Sequence, residues 1–333
     1  MQNEPTTPPQ ADAGSNGGRK KFSIKTTLTA PLLMCAILIL SFSSRYISDE
    51  ILGYGETLYM SLIILQIFTA ALPCIFYARL RGQGYSATLG IRPMALNRIG
   101  FLFLAAVTLI VGSITVKLTL SYMGVEPSEY LGYGALVLID DAVTFTDVMY
   151  MISTFAVLPA IIEEFVYRGV IMTEYGGGII AAIIATLFYG ISFLDIERLP
   201  IYLFCGAVYA LVRYVTRSLL ASVALHMIYG VFNLISETYI LKIIAQPEYR
   251  TLIAFVTITV FLVFLSITFG ESERIFFNEA VNEAVAEDDR QLHDGNTKKS
   301  RGGVSYILEC VLSPTFIICI VLYVAAVVTV GGL

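Results

Sequence analysis

Charge is scarce in this chain. Asp, Glu, Lys and Arg supply 14% of the 333 residues, against 56% hydrophobic residues. The few Lys and Arg fall at the edges of apolar runs or in short polar segments, which leaves no basic surface suited to a nucleic acid. Cysteine is sparse too. Cys35, Cys74, Cys205, Cys310 and Cys319 lie in or beside apolar blocks without CxxC spacing, so they read as small packing residues and give neither a disulfide framework nor a zinc knuckle. No Gly-rich phosphate loop follows a strand, and Ser192 and Ser222 lack a serine–base arrangement. The cluster Gly176-Gly177-Gly178 sits between two apolar runs and reads as a tight connection.

What remains is apolar sequence in repeated blocks, each long enough to cross a hydrocarbon layer about 30 Å thick. The chain therefore reads as an integral membrane protein, an all-α polytopic transmembrane bundle of about eight or nine spans. Residues 1–26, rich in Pro, Gly, Asn and Gln through about residue 18, read as a disordered cytoplasmic leader. Arg19, Lys20, Lys21 and Lys25 then precede an uncleaved first helix over 28–42. Further spans are predicted near 58–78, 99–120, 146–170, 177–194, 199–213, 218–236, 250–269 and 305–331. The stretch 199–213 is short and begins with a proline, so a re-entrant path is open there as well.

Charge alternates along the connectors. Arg79, Arg81, Arg92 and Arg98 make one connector positive, whereas Glu126, Glu129, Asp140, Asp141 and Asp147 make the next negative. Arg213 and Arg217 return the positive sign. This pattern predicts a cytoplasmic amino terminus in the plasma membrane. Residues 27–270 form the expected multi-span core, 271–303 a charged cytoplasmic loop with a short interfacial helix at 275–286, and 304–333 an additional transmembrane helix.

Against this background the run from Pro159 to Gly169, PAIIEEFVYRG, stands out. Ionisable groups inside a membrane span are costly and mark functional sites. Glu164 and Arg168 are four apart and face each other on a helix, while Glu163 points about 100° away. One arginine does not satisfy both acids in one environment. Two readings follow: a structural ion pair, or a pair with one acid left for a metal, a water or a proton. A second polar feature lies at His226, Gly230 and Asn233, which line one helical face. His226 is a histidine within the spans; the other, His293, lies in the polar segment. Its imidazole reads either as a ligand or hydrogen-bond hub, or as a packing residue.

Glu163-Glu164-x-x-x-Arg168, with Pro159 before it and Gly169 after it, resembles the first signature of the CAAX-protease and bacteriocin-processing family of intramembrane endopeptidases, also described as a self-immunity family. The run from Gly206 to His226 is similar to the approach to that family's third signature. The resemblance covers about residues 145–236. It implies a site in which glutamate and histidine, with or without a metal, activate water against a peptide bond. On that pattern Glu163 is the base, Glu164 and His226 are metal ligands for a divalent ion such as zinc, and Arg168 orients the acids.

The chain departs from the pattern twice. The second signature, Phe-x-x-x-His, aligns on Phe188-Tyr189-Gly190-Ile191-Ser192, so Ser192 stands where histidine is usual. The third, His-x-x-x-Asn or Asp, meets Gly230 after His226. A zinc site takes about three protein ligands, and Asp195 and Asn233 are the nearby residues that would have to supply what is missing. Three functions compete: a glutamate-dependent, metal-assisted endopeptidase cutting a membrane-associated peptide or protein; a proteolytically silent relative that binds or scaffolds a membrane or envelope partner; and a small proton-coupled transporter, which the lack of an internal repeat disfavours.

Overall fold

The computed structural model describes residues 29–47, 49–53, 56–81, 91–125, 144–244, 247–291 and 311–331. Among these no strand occurs. The long helices fall where the apolar blocks lie: α1 (Ala30–Ser44), α2 (Glu56–Arg81), α3 (Ile99–Tyr122), α4 (Phe145–Glu174), α5 (Ile179–Ser192), α6 (Leu199–Thr216), α7 (Leu219–Ile244), α8 (Pro247–Gln291) and α9 (Pro314–Gly331). By length and composition α2, α3, α4, α6 and α8 suffice to cross a membrane, five helices in all. The apolar lengths of α1, α5, α7 and α9 are shorter. Applied to the described residues, this criterion gives five spans; α1, α5, α7 and α9 coincide with the remaining apolar blocks.

Several boundaries move. The helix expected to end near 269 runs unbroken to Gln291, so the short helix expected at 275–286 is continuous with it. The physical reason is local: from Glu271 to Gln291 there is neither Gly nor Pro, and Glu, Ala and Arg favour helix. Asp147 belongs to the first turn of α4 and not to a connector. Thr144 Oγ1 accepts from Asp147 N at 3.3 Å and Asp147 Oδ2 accepts from Thr144 N at 3.0 Å, a reciprocal cap that satisfies two orphan donors. The leader at 1–26, the acids at 126–141, and residues 292–310 lie outside the described residues.

α6 is a full helix despite its early proline. Pro200 sits in the first turn, where an N–H is not needed by the helix. Upstream of it, Asp195 Oδ1 accepts from Arg198 N at 3.0 Å.

Contacts between helix ends define one face of the bundle. The carboxylate of Glu174, at the end of α4, accepts from Ala30 N at 2.8 Å, from the Tyr77 hydroxyl, and meets Arg81 at 3.7 Å. On the same principle Arg98 donates to Val215 O at 2.7 Å and Ser218 to Arg92 O at 2.5 Å. Starts of α1, α3 and α7 therefore meet ends of α2, α4 and α6, which makes α1–α7 run alternately up and down. Arginines gather on this face. On the opposite face Arg45, beyond α1, donates to Phe193 O at the end of α5, at 2.7 Å.

α4 is the helix that carries the site, and it is locally widened twice. Over Ser153–Val157 and Phe165–Ile171 its bonds become i→i+5, as in Leu158 N to Ser153 O and Met172 N to Tyr167 O. Pro159 lies just after the first wide segment and cannot donate to Phe155 O. Such widened turns re-aim side chains. α6 packs on α3, α5 and α7, while α8 lies along α3 and α9 along α1.

Candidate active site

Glu164 is wholly buried and fully engaged. Its Oε1 accepts from Arg168 Nη1 at 3.1 Å and meets His226 Nδ1 at 3.0 Å, and its Oε2 accepts from the Ser222 hydroxyl. The helical spacing that places Arg168 one turn below Glu164 is the one expected from sequence. Arg168, also with no exposure, passes its second nitrogen to Gly206 O at 2.8 Å. Its guanidinium lies 4.6 Å from the Tyr189 ring centroid and 5.3 Å from that of Tyr209, an aromatic setting that favours a cation. A Cβ on Gly206 would sit 2.8 Å from Tyr189 and 3.3 Å from Arg168 Nη2. Only glycine lets α6 come this close.

Glu163 has a different environment. Its side chain keeps 21% exposure and faces a cavity of about 300 Å³ between α2, α3, α4, α5, α6 and α7. His226 reaches the same cavity: its Nε2 lies 3.8 Å from Glu163 Oε2. That separation is too long for a direct hydrogen bond and sets the two groups side by side at the cavity wall. The imidazole is held by Glu164 on its Nδ1 side and stacked on Tyr209, with ring centroids 4.3 Å apart and planes at 16°. If Nδ1 carries the proton given to Glu164, the Nε2 lone pair is turned to the cavity. The two acids adjacent in sequence are thus separated by environment, one inside the protein and one at a cavity wall.

The residues at the departing positions are accounted for differently. Ser192 donates to Tyr189 O at 2.7 Å, within its own helix, and lines a smaller cavity of about 160 Å³ that Glu163 also borders. Gly230 is packed against the first wide segment of α4, so that a Cβ would lie 2.9 Å from both Cα and Cβ of Ala156. Space for a larger residue is taken by α4 itself. Asp195 is away from the carboxylates, paired with Arg198 at 3.2 Å in the connector before α6. Asn233 does line the main cavity, where its Oδ1 accepts from Lys117 Nζ at 3.3 Å.

Several side chains of this cavity were not singled out from sequence. Lys117 on α3 is 4% exposed, and Gln66 on α2 contributes a buried Oε1 without a hydrogen-bond partner among the described residues. A lone lysine inside the apolar run 99–120 was a usable signal, because a charge there is costly. Ser222, Tyr189 and Tyr209 offered none, since a serine or tyrosine in a helix is ordinary until its partner is known.

The donor set does not complete a zinc site. Glu163 and His226 Nε2 face the cavity, but both oxygens of Glu164 are committed to Arg168, His226 and Ser222, and Asp195 is elsewhere. Among the described residues no group of three His, Cys, Asp or Glu side chains is assembled to hold a metal ion, whereas zinc takes about three protein ligands.

Residues 145–232 match the family model described as Type II CAAX prenyl endopeptidase Rce1-like. The matched segment runs from the start of α4 through most of the apolar part of α7 and contains Glu163, Glu164, Arg168 and His226. No curated protein and no solved structure matches the chain. The apolar helices describe an integral membrane protein, and its residues 145–232 are similar to a CAAX prenyl endopeptidase family.

Proposed function

We propose that this protein is an intramembrane endopeptidase in which Glu163 activates water against a peptide bond of a membrane-associated peptide or protein. The observation that carries this reading is the division between the acids. Glu164, locked to Arg168 and Ser222, fixes the imidazole of His226, while Glu163 and His226 Nε2 stand 3.8 Å apart at the wall of one cavity. A carboxylate that takes a proton from water at the moment of attack contributes roughly 10²- to 10⁴-fold. Arg168 holds the Glu164 carboxylate in place through a buried ion pair and so acts as a positioning residue. The similarity to the CAAX prenyl endopeptidase family supports the reaction class. A prenylated peptide is the corresponding substrate class to test.

The reading is metal-free because the second carboxylate is occupied. A divalent ion, if used, would have Glu163 and His226 Nε2 as its donors here, with further ligands from substrate or water. The amino terminus is assigned to the cytoplasm, with the arginine-rich face of the bundle on that side, in accordance with the positive-inside rule; a plasma-membrane location accompanies that assignment.

A second reading has specific support. The Ser192 hydroxyl is turned to its own backbone and Gly230 leaves no polar group, so a silent family member that binds a membrane or envelope partner fits those two positions. The experiment that separates the readings maps protein termini in membranes of cells that lack the protein or carry the native chain or Glu163→Gln. New termini that vanish with Glu163→Gln support cleavage and name the substrate. Unchanged termini, with partner abundance lost only on deletion of the whole protein, support the scaffold.

A further inference from the structure

We propose that Gln66, anchored by its amide nitrogen to the Thr154 carbonyl, binds substrate through Oε1, which accepts a backbone N–H of the peptide lying across Glu163. The proposal deepens the peptidase reading and rests on it for the identity of the ligand. Gln66 belongs to α2, outside the segment 145–232 that matches the family model.

α4 leaves one carbonyl without a partner of its own. In a regular helix Thr154 O accepts from Leu158 N, but in the first wide segment Leu158 N goes to Ser153 O. The next donor along, at i→i+5 spacing, is residue 159, a proline with no N–H. Gln66 Nε2 takes that place and donates to Thr154 O at 3.1 Å. Gln66 itself stands at the entrance to another wide segment, Ile67–Ala71 of α2, where Leu72 N bonds Ile67 O. Widened turns therefore flank this contact on both helices, and such turns are frequent at functional sites.

The bond to Thr154 O decides which end of the Gln66 amide is which, because a carbonyl accepts only from N–H. Oε1 is the end left over. It is buried and has no hydrogen-bond partner among the described residues. An acceptor in that state within an apolar span is costly unless a donor meets it when the protein works.

Gln66 also stands where the two cavities of the site adjoin. The larger, of about 300 Å³, and the smaller, of about 160 Å³, have Gln66, Pro159, Glu163 and Phe193 in common. The depth of the two polar residues agrees with this. Arg81 and Glu174 meet at the arginine-rich face; Gln66 lies 15 residues before the first and Glu163 11 residues before the second, or about 22 Å and about 16 Å along their helices. The difference is about two residues of an extended chain.

What Oε1 takes is set by its chemistry. A carbonyl oxygen only accepts, so it suits neither a carboxylate nor a substrate carbonyl. A peptide held open for hydrolysis inside a membrane protein carries N–H groups that hydrocarbon does not satisfy, and a fixed neutral acceptor beside Glu163 suits one of them. Asn233 Oδ1, in the same cavity, already accepts from Lys117. Water also donates, and the test separates water from peptide.

The test measures binding of a prenylated CAAX peptide to the full chain in nanodiscs, in a Glu163→Gln background that prevents turnover. Each backbone N–H of the peptide is replaced in turn by an ester oxygen, which deletes the donor and keeps the shape. One ester is expected to weaken binding roughly five- to tenfold. That loss is expected to vanish in Gln66→Met, which binds the all-amide peptide more weakly by a similar factor. Gln66→Asn keeps the amide but draws it back by one methylene; it retains part of the loss and serves if Gln66→Met does not fold. Absence of any such ester position, absence of binding included, overturns the proposal. So does a Gln66→Met effect equal for every ester, the result of an oxygen that serves only a water or the fold. A Gln66-dependent ester position without Glu163-dependent termini in cells leaves the binding role standing and removes the peptidase. Glu163-dependent termini without such a position do the reverse.

Discussion

Arg168 Nη1 lies 3.1 Å from Glu164 Oε1, and neither side chain has any exposure. Removing one member of such a pair leaves the other charge buried without its partner, which costs about 3–5 kcal/mol. Arg168→Leu is therefore expected to lower stability by that order, read as a loss of melting temperature in detergent or of abundance in membranes. The double variant Glu164→Gln/Arg168→Leu is expected to lose less than the sum of the singles, since neither then strands a charge.

Restoring the family's usual residue at position 230 is expected to harm the protein. In Gly230→Asn the new Cβ meets Ala156 at 2.9 Å, a backbone clash that rotamers do not relieve. A cost of about 1–3 kcal/mol follows, and Ala156→Gly in the same chain should recover part of it. Thermal unfolding of the two variants checks this. An increase in both stability and cleavage for Gly230→Asn alone would show that α4 yields at this point.

His226 combines packing with chemistry, and a single substitution divides the two. His226→Phe keeps a flat ring to stack on Tyr209, which lies 4.3 Å away, but removes both nitrogens. Cleavage is expected to fall roughly 10²- to 10⁴-fold with less loss of stability than in His226→Ala. Comparing melting curves with single-turnover cleavage of the substrate found by terminus mapping provides the check.

Exhaustive dialysis against a chelator is expected to change neither cleavage rate nor melting temperature, because the Glu164 carboxylate is buried and held by Arg168, His226 and Ser222. Elemental analysis of the purified protein should find less than about one zinc per chain. Activity lost to the chelator and regained with zinc would show that Glu163 and His226 acquire further ligands in the working complex.

How much of this was readable in the sequence differs from element to element. Among the described residues the nine long helical stretches follow their apolar blocks, because span length and hydropathy are strong signals. The end of α8 was not readable by the same signal, since hydropathy fades after residue 269 while helix propensity does not. Glu164 facing Arg168 followed from spacing alone. That Glu163 and Glu164 would differ in environment followed from the 100° step, but which acid would be buried depended on Ser222 and Gly206, contributed by other helices. Asp195 and Asn233 were both nearby polar residues, with Asp195 the weaker candidate for its place near the far membrane surface; Arg198 claims it, and the course of α7 carries Asn233 into the cavity beside Lys117. These are tertiary choices, invisible in any one segment.

The central claim is that two adjacent glutamates have separate duties, Glu163 in the reaction and Glu164 in the scaffold. The most direct measurement sets Glu163→Gln beside Glu164→Gln in the purified full chain, recording melting temperature and cleavage of a prenylated CAAX peptide in liposomes. The account requires native-like melting with cleavage reduced at least about 10²-fold for Glu163→Gln, and a marked fall in melting temperature for Glu164→Gln. Undiminished cleavage by folded Glu163→Gln, or native melting of Glu164→Gln, would contradict it.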